Sequence, residues 1–413
     1  MPTSSQSDLA AGSAARRVGR LRELDALRGV AAASVVLHHS AIAFPVMFDD
    51  TRGDGVTAAN VLKYTPLHAL FAGNPAVIVF FVLSGLVLAL PFVEGRGDRY
   101  PGFIVKRIFR LWPPYAVAVA AAILLAVTVG GGEVGGMSSW FNEKWHEPVT
   151  AGLVAGHASL VASFDNDAFN SPIWSLVIEM RVSLIFPALV LATLLLGWKR
   201  GLALALLVCC VGVLARGEFG GGDYFATLKY IPCFVIGILL AAHRESLRAR
   251  LERLGAGAVA IVASIAALAY TWQFWANADW FPGPLGGAVH NQVVDLVAVT
   301  LGATLIILLV QRPGRSRDAL LSRVPQFLGR ISYSLYLVHL PVLLAVVHLL
   351  GGAVEPVLLL PLVWVLSIVL ADVSQRFVER PAQGVGRRLA AHPAISRPDS
   401  GVGPVLAESS TPR

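Results

Sequence analysis

Apolar residues along this chain do not alternate at the two-residue period of a half-buried strand, nor do they form one stripe of a surface helix. They run in blocks whose length suits a bilayer. The blocks fall at about 27–48, 74–92, 114–131, 173–196, 201–215, 225–242, 256–275, 293–310, 331–350 and 356–374. The expected fold is an all-α polytopic membrane protein of about ten transmembrane helices. An eleventh block, 149–163, is short and contains His157, so hydropathy alone leaves it between a span and a re-entrant or surface helix.

Charge decides that question. Arg16, Arg17, Arg20 and Arg22 precede the first block, and Arg96, Arg99, Lys106, Arg107 and Arg110 separate the second from the third, so both segments are expected in the cytoplasm. If 149–163 does not span, the later basic clusters around Arg200, Arg248, Arg317 and Arg380 fall on the same side, and both termini are cytoplasmic. The longer loops 48–73 and 131–172 then face outward. An Arg-rich lead before Ala41-Ile42-Ala43 resembles a signal peptide, but His38 and His39 interrupt the apolar stretch and suit a helix facing a polar cavity better. Residues 1–20 and 391–413, rich in Ser, Pro, Ala and Gly, read as disordered tails on one membrane-embedded domain, 21–390.

Composition removes several classes of function. With 55% hydrophobic and 14% charged residues, the chain lies far from the roughly 25% charge of soluble proteins. Cys209, Cys210 and Cys233 sit in apolar runs, with no disulfide framework or paired zinc spacing. The net charge of +7 is accounted for by cytoplasmic loops, so no nucleic-acid partner is expected. No H-E-x-x-H, Walker lysine loop or G-x-S-x-G occurs, so no metal site and no bound cofactor are expected.

Ionisable groups inside apolar blocks are expensive and therefore mark candidate chemistry. Arg28 and His39 are eleven residues apart, about three helical turns, which places them on one helix face with His39 about 16 Å deeper. Lys106, Arg107 and Arg110 form a basic group ahead of Pro113-Pro114, read as the start of the third span. Guanidinium groups of that kind suit phosphate through bidentate contacts. Glu179 and Arg181 lie within one block but point to nearly opposite faces, so each is expected to have a different partner. Ser332, Tyr336 and His339 follow i, i+4, i+7 spacing and form a polar stripe on an apolar helix. Each of these features also has a structural reading, as a packing histidine, a topology anchor, an ion pair or an interhelical hydrogen-bond stripe.

Six stretches, in order, resemble the acyltransferase 3 family of integral-membrane O-acyltransferases over residues 20 to 390. They are Leu24-Asp25-Ala26-Leu27-Arg28-Gly29 with His39; Phe80-Phe81-Val82-Leu83-Ser84-Gly85; Arg107-Ile108-Phe109-Arg110 before Pro113 and Tyr115; Trp174-Ser175-Leu176 with Glu179 and Pro187; Ser332 to Pro341; and Glu379-Arg380-Pro381. The resemblance implies acyl-CoA, usually acetyl-CoA, as cytoplasmic donor. It implies a hydroxyl of a carbohydrate, glycolipid, peptidoglycan or secondary metabolite as acceptor, and a bacterial cytoplasmic membrane as location. Arg28 and His39 are implied to be essential, and Arg107 and Arg110, with Lys106, to bind the donor. Asp25, Ser84, Trp174, Tyr333, Tyr336 and His339 are assigned to the substrate pocket. Val182-Ser183 replaces the family's commoner Phe-Tyr after the glutamate, which points to a subgroup with a different acceptor. No fused esterase-like domain of the kind some members carry is expected, so any periplasmic delivery partner is expected to be a separate protein or absent.

Acyl transfer from a thioester to an alcohol needs a base for the hydroxyl, stabilisation of the oxyanion and a proton for the thiolate. His39 is the expected base, with Glu179 across the bundle as the group that would hold its tautomer. The alternative from a different class is a transporter exporting a glycan or lipid intermediate, which midplane ionisable groups also suit. The repeat halves of many transporters are not visible in the chain.

Overall fold

The first apolar block and the first helix do not coincide, and the reason is local. The computed structural model describes residues 21–51, 55–146, 148–218, 223–276 and 286–396. Helix α1 spans Arg22–Ile42, with Glu23 and Asp25 in its first turn, where carboxylates complement the helix dipole. It cannot continue to residue 48, because Pro45 pushes Phe44 into extended backbone and opens a separate turn, Pro45–Phe48. His39 consequently lies in the last turn of α1 rather than near its middle.

Every regular element among the described residues is helical. The principal helices after α1 are α2 (Gly73–Val93), α3 (Tyr100–Val129), α4 (Trp174–Glu218), α5 (Asp223–Lys229), α6 (Ile231–Ala242), α7 (Ala256–Tyr270), α8 (Gly286–Gln311), α9 (Arg323–Leu350), α10 (Pro356–Ser374) and α11 (Arg380–Ala390). A single π turn, Gln375–Glu379, joins α10 to α11. Among the described residues, seven helical runs are long and apolar enough to cross a membrane. The block at 149–163 contains only a seven-residue helix, Ala151–His157, about 10 Å long and too short to cross.

One further boundary differs from expectation. Pro113 and Pro114 do not start the third span. Helix α3 begins at Tyr100, behind Pro101 in its first turn, and runs through the proline pair without a break. Lys106, Arg107 and Arg110 are therefore on the helix itself. The blocks at 173–196 and 201–215 fall, as expected, on two helices within α4, separated at Gly197, whose non-helical φ of 71° is open to glycine and costly for other residues. The expected tail 1–20 and residues 397–413 lie outside the described residues, while Pro393–Ser396 forms one further helical turn.

Lipid offers helices no hydrophobic gain for leaving it, so helix association there depends on close packing. Glycine supplies it at two crossings. A Cβ on Gly29 of α1 would fall 2.2 Å from the backbone N of Gly329 on α9, and one on Gly329 would fall 2.4 Å from the Asp25 carbonyl. Gly85 of α2 and Gly237 of α6 meet in the same way, against the Phe234 and Val82 carbonyls. The α1–α9 and α2–α6 pairs are the two most extensive interhelical interfaces in the bundle. Helices α1, α2 and α9 form its centre, with α3, α10 and α11 on one flank and α4, α6 and α8 on the other.

Candidate active site

Between α1, α2, α3, α4, α9 and the α10–α11 junction lies a cavity of about 940 Å³, near the top of the usual range for small-molecule sites. Its lining changes character along its length. On α9 it passes from Gly329 and Arg330 through Ser332 and Tyr333 to Tyr336. Its charged lining comprises Arg28, Arg107, Arg110, Arg330, Arg376, Arg380 and Arg387, against three carboxylates, Asp25, Glu179 and Glu379. Phe80, Phe81, Ser175, Leu176 and Tyr336 form an uncharged part of the lining, with Phe80 and Ser175 against Tyr336.

The guanidinium groups divide into two sets. Arg107 is 5% exposed; its Nη2 donates to Glu179 Oε1 at 2.7 Å and its Nε to Ser183 Oγ at 3.1 Å. Ser84 Oγ donates to the same carboxylate oxygen at 3.0 Å, so Glu179 ties α2, α3 and α4 together. Arg28 lies 4.0 Å from Asp25 and donates to the Leu83 carbonyl at 3.4 Å. Arg330 and Arg376 pair with Asp372. Arg110, Arg380 and Arg387 also line the cavity and have no hydrogen-bond or ion-pair partner among the described residues. Their donors are not engaged by hydrogen bonds among the described residues, although the Arg110 charge acts on Glu179 and Glu379.

The π turn helps to present these guanidinium groups. Glu379, buried at its end, accepts from Ser334 Oγ at 2.9 Å and from Gln383 Nε2 at 3.0 Å, which pins the junction to α9. Arg376, Arg380, Gln383 and Arg387 then follow i, i+4, i+7, i+11 spacing into the cavity. Arg376 and Arg387 are expected from the sequence only as topology markers and Arg380 also as part of the Glu379-Arg380-Pro381 stretch; helical spacing is the signal that joins them.

The two histidines, expected in the site, are not in the cavity lining but lie beside Tyr336, which is. The rings of Tyr336 and His339 are 6.0 Å apart, and His339 Nε2 lies 3.0 Å from His39 Nδ1. Trp140, from the loop 131–172, stacks on His39 at 5.4 Å and 19°. Lys144 reaches over the Trp140 ring and forms an ion pair with Asp167. Tyr333 donates to the Leu111 carbonyl at 2.7 Å, and Tyr336 donates to the Pro172 carbonyl at 3.0 Å, beside Ser175.

Of the expected site residues, Asp25, Arg28, Ser84, Arg107, Arg110, Glu179, Tyr333 and Tyr336 come together around the cavity. Three expectations are corrected. Glu179 does not hold the His39 tautomer: its Oε1 is engaged by Arg107 and Ser84, and the group on His39 Nδ1 is His339. Lys106 does not line the cavity; it pairs with Asp98 at 2.6 Å. Trp174 faces the other side of α4, against Phe81 and Tyr230, and lines a separate cavity of about 310 Å³ with Arg181 and Asp167. Arg181 has its own partners, as its spacing from Glu179 implied, namely the carbonyls of Val161, Ala162 and Asp223.

A cationic cavity beside a histidine pair, inside a bundle with long apolar helices, is an arrangement suited to a group-transfer enzyme of membranes. The match to an acyltransferase domain over residues 21–375 makes it specific: the chain belongs to the acyltransferase 3 family. Among similar proteins, YrhL of Bacillus subtilis, a candidate peptidoglycan O-acetyltransferase by name, is 26% identical over 81% of this chain and 55% of its own length. The O-acetyltransferase PaAT-1 of Phomopsis amygdali is 23% identical over 86% of this chain and 82% of its own. A candidate O-acetyltransferase of Staphylococcus aureus is 24% identical over 81% and 57% respectively. The chain thus spans little more than half the length of the two bacterial relatives. No solved structure matches it.

Proposed function

We propose that the protein transfers an acyl group, most simply acetyl, from acyl-CoA to a hydroxyl of a glycan, glycolipid or hydroxylated secondary metabolite. The observation that carries this reading is a cavity lined by guanidinium groups, Arg110, Arg380 and Arg387 among them, that reaches Tyr336 beside the histidine pair. CoA has that polarity, with phosphates at one end and a thioester on a linear arm at the other. Arg110, Arg380 and Arg387 hold the phosphates, and the arm runs past Arg28, Ser84 and Tyr333 towards His39. His39 takes the proton of the acceptor hydroxyl, the oxygen attacks the thioester carbonyl, the C–S bond breaks, and the imidazolium returns the proton to the departing thiolate.

The topology proposed with this reading has ten spans. The bent run at Gly197 supplies two, and α1 and the 15-residue α7 complete the set. The arginine-lined end then faces the cytoplasm, where acyl-CoA is made, and Trp140 faces the outer side of a bacterial inner membrane. A donor bound from one side and an acceptor from the other make the transfer vectorial. Family membership favours this over export of a glycan intermediate.

Membranes containing the protein and given radiolabelled acetyl-CoA should release CoA thiol and label endogenous glycan or lipid. His39→Ala should lower the rate by at least about 1,000-fold, within the range of general-base losses. Wild-type rates in that variant would remove His39 from the chemistry, and accumulation of an unacylated substrate in vesicles without thiol release would restore the transporter.

A further inference from the structure

The hydrogen bonds of the histidine pair determine which nitrogen of His39 is free to act. His339 Nδ1 lies 3.1 Å from the Leu335 carbonyl, one turn back on α9. A carbonyl only accepts, so His339 Nδ1 carries a proton. In a neutral ring its Nε2 is then an acceptor, and His39 Nδ1, 3.0 Å away, must be the donor. The opposite direction would require both His339 nitrogens to be protonated, leaving a cation against a second imidazole inside the bundle, which is costly without a counter-charge.

Building on the proposed transferase reading, we infer that His339 is a positioning residue: through its Leu335-fixed tautomer it accepts the His39 Nδ1 proton and turns the His39 Nε2 lone pair towards the acceptor hydroxyl. Trp140 completes the arrangement. It stacks on the face of the His39 ring, whereas the Nε2 lone pair lies in the ring plane and is not covered by that stacking. The relay replaces the carboxylate that commonly orients a catalytic histidine and brings no negative charge into the bundle. The device is assembled from both partners of the Gly29–Gly329 crossing, so the close packing of α1 on α9 also sets the His39–His339 spacing.

Two measurements test it. In membranes supplied with radiolabelled acetyl-CoA, His339→Phe keeps ring volume without an acceptor and should lower kcat about 100-fold with the apparent KM for acetyl-CoA unchanged. His339→Gln, whose Oε1 reaches the Nε2 position, should recover at least ten-fold of that loss. Full activity in His339→Phe, or equal losses in both variants, would overturn the inference. Independently of activity, solid-state nitrogen NMR of histidine-labelled protein in lipid, with His39 assigned by subtraction of the His39→Gln spectrum, should show His39 protonated at Nδ1 in the wild type. It should show a mixture of tautomers in His339→Phe; a wild-type His39 protonated at Nε2 would refute the relay. If wild-type membranes transfer no label, the transferase reading fails while the NMR result still judges the relay.

Discussion

Arg107 and Arg110 sit one turn apart on α3, with opposite surroundings. Arg107 is buried and bonded to Glu179 and Ser183, whereas Arg110 is half-buried, faces the cavity and has no partner among the described residues. The same contrast divides the whole site, with guanidinium groups neutralised inside the bundle and guanidinium groups left open at the mouth. A paired, desolvated charge is bound to its partner and contributes to assembly. An open one keeps its bidentate donors for an anion that arrives later. Residue type alone put Arg107 and Arg110 into one phosphate-binding group; the partners separate them.

The largest effect should come from breaking the buried set. Arg107→Met leaves Glu179 buried without its counter-charge, a loss of about 3–5 kcal/mol. Little monodisperse protein should survive detergent extraction, with a sharply lower Tm in what does. Adding Glu179→Gln removes the stranded charge and should restore most of the folded yield, because replacing both members of a buried pair costs far less than removing one. If Arg107→Met alone extracted and melted like the wild type, the buried pair would be incidental and Arg107 would belong with the mouth.

A smaller and different effect is expected there. Arg110→Ala with Arg387→Ala should leave Tm within about 2 °C of wild type, because neither side chain has a partner to strand. The apparent KM for acetyl-CoA should rise about 30-fold with kcat within threefold, as loss of one or two charge-assisted hydrogen bonds would give. Loss of kcat at unchanged KM would place these arginines in the chemistry rather than in donor capture.

How much of this could be read from the chain depends on whether the controlling contact is local. Helix content and the short helix near His157 follow from block length and charge. The Arg28–His39 face and the separate partners of Glu179 and Arg181 follow from helical geometry. The His39–His339 bond joins residues 300 positions apart and exists because Gly29 and Gly329 let two helices touch; nothing local announces it. The end of α1 could have been placed, since Pro45 was visible, but hydropathy windows average across a proline. The arginines of α11 were visible as a periodic row, yet the positive-inside rule explained them so readily that a second role was not sought.

Lys106 gives the smallest effect and the sharpest division between residue type and environment. It follows the motif into α3 immediately before Arg107, but projects away from the cavity to Asp98, at 2.6 Å, with side chains 39% and 41% exposed. A pair that open to solvent is worth about 0–1 kcal/mol. Lys106→Ala should therefore change the apparent KM for acetyl-CoA by less than about twofold, and Tm by no more than about 2 °C. A rise in KM matching that of the Arg110 and Arg387 variant would mean that the phosphates lie outside the cavity, along the exposed edge of α3. The open set of guanidinium groups would then no longer define the donor site.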